Sequence, residues 1–338
     1  MRRTIFTVLF AGILPLCAAA AEDDKAIADF YARKTVTIGV GSSAGGNYDL
    51  YARLVARHLG QHIPGQPTVI VQNIPGAGSR RLANVLYNVG PHDGTMLGLP
   101  NQGIAMDQAI AAEGVQFDAR KFHWIGSPVE DNNVFWAWHT NPVKSIEDAK
   151  LQEFVAGSTG PGSPTYFVPR IMNILLGTKF KVVSGYPGSN ELDLAIEKGE
   201  VGGRIVGWTS LKITSDFVPA GKANVLLQIG LRKAADLPRV RLMPELAAKE
   251  KDRQILEYMS LVPAMGRPFF MPPGTPAERA AAVRSAFAAT MTDASFLEEA
   301  NRARLEISPL TGDELAQLVG RTFSAPADVV AAAKAAME

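Results

Sequence analysis

Residues 35–60 read TVTIGVGSSAGGNYDLYARLVARHLG, and this stretch limits the fold more than any other. A β-rich run over 35–40 is followed by a loop of small residues over 41–46. Asn47 can then cap a helix whose Leu50, Leu54, Val55 and Leu59 fall on one face. Strand, small-residue loop and helix form an anion site in outline. The first N–H groups of a helix have no internal partner, and the helix dipole places partial positive charge there. Glycines let a ligand approach the backbone. The same architecture returns later. Phe154-Val155-Ala156 feeds Gly157-Ser158-Thr159-Gly160-Pro161-Gly162-Ser163, and a helix is expected from Pro164 to about Leu176. Proline suits that first helical position, where its missing N–H costs nothing.

The remaining chain alternates in the same manner. Thr68-Val69-Ile70-Val71-Gln72 is a second strand, parallel to the first if the unit is a βαβ. A Gly-rich turn over 75–79 opens another helix, and Met96-Leu97-Gly98-Leu99 is a third strand ending at Asn101 and Gln102. Residues 117–125 read as a connection. Residues 134–138 alternate as a strand with one of Trp136 and Trp138 in the core. Strands are also expected over 181–183, 201–206 and 225–230, and a helix over 190–198 capped by Ser189. Thr275-Pro276-Ala277-Glu278 and Thr311-Gly312-Asp313-Glu314 read as capping boxes. Strand–helix alternation in two blocks gives an α/β fold with two lobes. The boundaries expected are 22–125 with 231–338 for the first lobe and 126–230 for the second. Ligands of such open sheets bind at the carboxyl ends of strands, often between domains.

The chain has 338 residues, a net charge of +1 and one cysteine. Near-neutral charge removes the electrostatic basis for binding nucleic acid or an anionic membrane. Arg2-Arg3, an apolar run over 5–17 and Ala19-Ala20-Ala21 read as a secretory signal, with cleavage after Ala21. Lipidation at Cys17 is the alternative, opposed by Leu16 where small residues are usual. Removing Arg2 and Arg3 brings the net charge to −1, and removing Cys17 leaves neither disulfide nor thiolate. The expected location is the periplasm.

At this point the residues resemble a family. Ala44-Gly45-Gly46 with Asp49 and Ala52-Arg53 is similar to the first loop of the substrate-binding receptors of tripartite tricarboxylate transporters, the Bug family. Asn73-Ile74-Pro75-Gly76-Ala77-Gly78, Asp93-Gly94-Thr95, the 157–163 loop and Gly185-Tyr186-Pro187-Gly188 follow in the same order. The resemblance implies a two-lobed, type II-like periplasmic binding protein, each lobe a mainly parallel sheet flanked by helices. It implies a receptor that passes a small organic carboxylate to a membrane permease, without a cofactor, as a monomer. The ligand would lie on Ser43, Ala44, Gly45, Gly46, Asn47, Asp49 and Gln102 from one lobe. Ser158, Thr159, Gly160, Gly162, Ser163, Thr165, Asn190, Arg204 and Trp208 would face it from the other. Two departures from the family pattern bear on the ligand. Asn47-Tyr48 stand where small residues are usual, and Arg204 and Trp208 are bulky. Arg204 can pair a second carboxylate and Trp208 can stack on a ring.

Other chemistries fit less well. Gly39-x-Gly41-x-x-Ala44 is a loose dinucleotide fingerprint, but Gln72 stands where the acidic residue belongs. Residues 157–160 lack the Gly-x-Ser-x-Gly elbow of a serine hydrolase. His58 and His62 have the spacing of a metal clamp with no third ligand in the pattern, and read as a surface pair. An exported enzyme acting on a carboxylate ester or amide, and a sensor partner, remain alternatives to the receptor.

Overall fold

The computed structural model describes residues 25–160, 163–186, 188–214 and 216–337. The predicted signal segment and Gly162 lie outside them. A helix over 25–31 (α1) leads into two mixed sheets.

The first sheet contains β1 (Thr35–Val40), β2 (Thr68–Asn73), β3 (Met96–Leu99), β4 (His123–Ser127), β10 (Phe269–Met271) and β11 (Leu310–Thr311), in the order β11-β4-β10-β3-β1-β2. β1 pairs in parallel with β2 and β3, as the βαβ reading requires. β10 runs antiparallel between β3 and β4. The second sheet contains β5 (Asn133–Trp138), β6 (Phe154–Ser158), β7 (Phe180–Ser184), β8 (Gly203–Gly207) and β9 (Ala223–Ile229), in the order β7-β6-β8-β5-β9. β6 is parallel to β7 and β8, while β5 is antiparallel to β8 and β9.

Alternation along β5 shows why both sheets are covered on two faces. Phe135 and Ala137 enter one apolar cluster with Phe154, Ile171 and Leu227. Val134 and Trp136 enter another with Ile196, Leu211 and Phe217. Trp136 is fully buried and Trp138 is half-buried. In the first sheet, Ile38 and Val40 pack on Leu54 and Leu59 of α2 (Asn47–His62). On the other face, a Cβ on Gly39 would meet Leu82 Cδ1 at 2.7 Å, so glycine lets α3 (Arg80–Asn88) lie flat on the strand.

Several elements differ from the sequence reading. Residues 123–127 form a strand of the first sheet rather than a connection, held by β10 and β11 from beyond residue 268. Thr275 does not cap a helix, since its hydroxyl donates to the Pro272 carbonyl. Thr311 and Glu314 do form the predicted capping box on α12 (Gly312–Phe323). The last helix, α13 (Ala327–Met337), and α9 (Glu250–Ala264) share a core with Phe167 and Ile171 of the second sheet's α6 (Pro164–Leu176). The C-terminal half of the chain therefore packs on both sheets. Among the described residues no helix is long and apolar enough to cross a membrane.

Two connections between the sheets lie side by side. Asn132 donates to Gln228 Oε1 and to the Arg232 carbonyl, at 3.0 and 2.7 Å, joining residues 128–132 to the end of β9 and the residues that follow it.

Candidate ligand-binding site

The loops at the carboxyl ends of β1, β2 and β3 are tied to one another. Ser79 Oγ donates to the Gly41 carbonyl at 3.0 Å and accepts from the Asn101 N–H at 2.9 Å. A Cβ on Gly41 would lie 2.3 Å from that oxygen, so only glycine fits there. Asn73 Nδ2 reaches the Ser42 carbonyl and Asp49 Oδ1, at 3.0 and 2.9 Å.

Asp49 organises the first loop from within. Its buried carboxylate accepts from the Gly45 N–H and from Arg53 Nε, both at 2.8 Å. Burial works against its ionisation. The hydrogen bonds from Arg53, Gly45 and Asn73 outweigh it and hold the carboxyl below its usual range. Asp49 is therefore spent on the loop, while Ser43, Ala44, Gly45 and Gly46 remain exposed on its surface.

Three buried polar atoms in this region have no hydrogen-bond partner among the described residues: Ser42 Oγ, Asn47 Nδ2 and Gln102 Oε1. Buried polar groups are nearly always paired, so three on neighbouring loops mark a place for polar ligand atoms. The Gln102 N–H donates to Tyr48 Oη at 3.0 Å.

Beneath the loop lies a charged group that the sequence reading did not select. Arg267 is buried. Its Nε donates to Asn47 Oδ1 at 2.8 Å, its Nη1 to the Gly266 carbonyl at 3.1 Å, and its Nη2 to Asp131 Oδ2 at 3.2 Å. The guanidinium also lies 4.7 Å from the Tyr48 ring centroid. Asp131, also buried, accepts from the Thr209 N–H and hydroxyl, at 3.2 and 2.7 Å. Thr209 opens the turn of α8 (Trp208–Thr214) after β8. Burial pushes the Tyr48 phenol up, partly countered by Arg267. A sequence signal for Arg267 existed, because it is the one charge in the apolar run LVPAMGRPFFMPP.

The second loop bonds mainly to itself. Ser158 Oγ, fully buried, accepts from the Gly160 N–H at 3.0 Å and from Thr165 Oγ1 at 3.2 Å. Ser163 Oγ donates to the Gly160 carbonyl and lies 2.6 Å from Thr165 Oγ1. The Thr159 N–H also donates to Thr165 Oγ1, leaving the Thr159 side chain exposed. Gly160 has φ +129° and lets the loop fold back on Ser158.

Three further residues expected at the site are placed elsewhere. Arg204 is committed to Asp193 on α7 (Ser189–Glu197), with Nε–Oδ1 and Nη2–Oδ2 distances of 2.7 and 3.0 Å, while its Nη1 donates to the Ile205 carbonyl. Strand alternation sets it opposite Trp136, on the face that α7 covers, so it is not free for a second carboxylate. Trp208 is in the core of the same face and donates from Nε1 to Asp236 at 2.9 Å, so its ring is packed rather than offered. Asn190 is exposed and lines a 420 Å³ pocket with Asp193, Glu197, Asp216 and Lys222, none of them a residue of either loop. His58 and His62 each pair with a carboxylate, Glu299 at 2.7 Å and Asp293 at 3.2 Å.

No family model matches the chain. It is 27% identical over 260 residues to a UPF0065 protein of Cupriavidus necator, covering 70% of this chain and 72% of that one. Three solved structures align over nearly their whole length. A TctC solute-binding protein from Polaromonas matches with a TM-score of 0.66 at 18% identity, over 89% of this chain and 98% of its own. The periplasmic binding protein BugD matches at 0.66 and 19%, over 90% and 98%. An R. palustris protein solved with adipate matches at 0.65 and 19%, over 89% and 97%. The chain has the two-lobed fold of the TctC and Bug solute-binding proteins. The resemblance read from the motifs between residues 44 and 188 agrees with this architecture. The first loop follows β1 in the first sheet, and Thr159, Gly160 and Ser163 to Thr165 follow β6 in the second, both at the carboxyl ends of strands with parallel neighbours, where open sheets take ligands.

Proposed function

We propose that this chain is an extracytoplasmic receptor that captures a small organic carboxylate and delivers it to a tripartite tricarboxylate transporter permease. The observation that carries the reading is the trio of buried, unpartnered atoms on Ser42, Asn47 and Gln102, set beside a loop whose residues 43–46 are exposed. The Ser42 hydroxyl and the Asn47 amide N–H can donate to a carboxylate, while Gln102 Oε1 accepts and suits a hydroxyl or other donor elsewhere on the ligand. A solved neighbour of the same fold holds adipate.

The first lobe comprises the chain as far as the end of β4 at Ser127 together with 231–338, two residues beyond the boundary expected from sequence, and the second the residues between, with α9 and α13 lying across onto the second sheet's core. Ser43 to Asn47 hold the ligand from one lobe, with Gln102 alongside. Ser158, Thr159, Gly160, Ser163 and Thr165 meet it from the other. Closure of the lobes completes the contacts and forms the surface that the permease reads. The receptor is periplasmic, monomeric and without catalytic activity.

The test is native mass spectrometry of the mature protein as purified, then thermal shifts with succinate, malate, adipate and benzoate. A ligand that binds only the folded state adds about 2.7 kcal/mol at a hundredfold excess over its Kd. A co-purified acid, or a shift with any of the four, supports the reading. Turnover of the acid, or no shift with any, overturns it.

A further inference from the structure

We propose that Arg267 is a positioning residue that fixes the polarity of Asn47, so that position 47 presents only a hydrogen-bond donor to the ligand. This rests on the receptor reading above. An isolated asparagine amide can turn either its oxygen or its nitrogen toward a ligand. Here it cannot, because guanidinium has donors and no acceptor. Arg267 Nε lies 2.8 Å from the amide and can hold only the oxygen. Nδ2 is therefore forced to the other side, where it is buried and unpartnered. Arg267 is itself immobilised by Asp131 and the Gly266 carbonyl, and its backbone N–H donates to Ser127 Oγ at 2.8 Å.

The guanidinium also lies 4.7 and 5.9 Å from the ring centroids of Tyr48 and Tyr51 on α2, so it is held against the start of that helix. Asp131 continues the contact to Thr209 on α8, so the amide's orientation is anchored in both sheets. The ligand atom facing position 47 must be an acceptor, such as a carboxylate oxygen, and not a hydroxyl hydrogen or an ammonium.

The test compares Asn47→Asp with Asn47→Leu. The aspartate keeps an acceptor for Arg267 and replaces the donor by an anion. Asn47→Leu removes both. Melting temperature is read without ligand, and affinity by calorimetry with succinate, malate, adipate and benzoate. The expected result is a split. Asn47→Asp melts at or above wild type yet binds at least about 100-fold more weakly, while Asn47→Leu loses both stability and affinity. A purely structural role would move the two readouts together. Asn47→Asp melting as low as Asn47→Leu overturns the pairing. Asn47→Asp with undiminished affinity overturns the donor assignment. A wild type that binds none of the four acids overturns the receptor reading instead, and the melting comparison still decides the pairing.

Discussion

Arg204 and Asp193 form a two-pronged ion pair, with Nε–Oδ1 at 2.7 Å and Nη2–Oδ2 at 3.0 Å, between β8 and the helix that covers it. Only 3% of the arginine side chain and 14% of the aspartate are exposed. Breaking such a pair strands a buried charge. Arg204→Ala is therefore expected to cost about 3 kcal/mol in denaturant unfolding. Any loss of ligand affinity should be equal for mono- and dicarboxylates. A selective loss for dicarboxylates would restore Arg204 to the binding site.

Gly46 precedes α2 with φ −79°, and a Cβ there would meet nothing closer than the Ser43 carbonyl oxygen at 3.8 Å. The backbone accepts a side chain at this position, whereas a ligand on the exposed loop would not. Gly46→Val should melt within a few degrees of wild type and lose carboxylate binding. Calorimetry showing wild-type affinity would remove the loop from the site.

Asp49 is the acceptor around which the first loop is folded. Asp49→Ala leaves the Gly45 N–H, Arg53 and one bond of Asn73 unmatched, at a cost of about 1–3 kcal/mol. Affinity should fall more than tenfold as the loop loosens. The pH dependence has a definite sign. The folded pKa is lowered, so the carboxylate's contribution is complete above the unfolded value of about 4 and is lost as pH falls through the folded value. Wild type should thus hold the loop's full contribution at neutral pH and lose it progressively as pH falls below about 4. Thermal scans of wild type and variant that converge already at pH 5 would contradict this.

Asp107 behaves in the opposite sense. Burial pushes its carboxyl up to about 6, and Arg80, with Nη1 3.8 Å away, only partly compensates. Its folded pKa exceeds the unfolded one, so the charged form opposes folding. Stability from this residue declines as pH rises from about 4 through about 6. Asp107→Asn should therefore raise stability by about 1–2 kcal/mol at pH 8, with little effect at pH 4. Urea unfolding at the two pH values checks it, and a larger gain at pH 4 would reverse the assignment.

Local pattern made much of this molecule legible in advance. The helix expected from Pro164 to about Leu176 spans those residues, because a proline-tolerant start and an αL glycine after its end are local signals. The parallel pairing of β1 with β2 follows from a βαβ connection that has few alternatives. Val283, Phe287 and Met291 are buried together, as their four-residue spacing requires. By contrast, β10 and β11 are three and two residues long, too short to show a period, and they make a strand of 123–127 only by lying beside it.

The same division holds at the candidate site. Sequence by itself determined the two small-residue loops and the helices they open, because turns are settled within a few residues. Only the tertiary structure decided which charges are spent. Arg204 meets a carboxylate 11 residues away on a covering helix. Arg267 reaches across 220 residues to Asn47 and 136 to Asp131. A buried cation must find its partners wherever the fold brings them, because leaving it unpaired costs more than almost any local preference can supply.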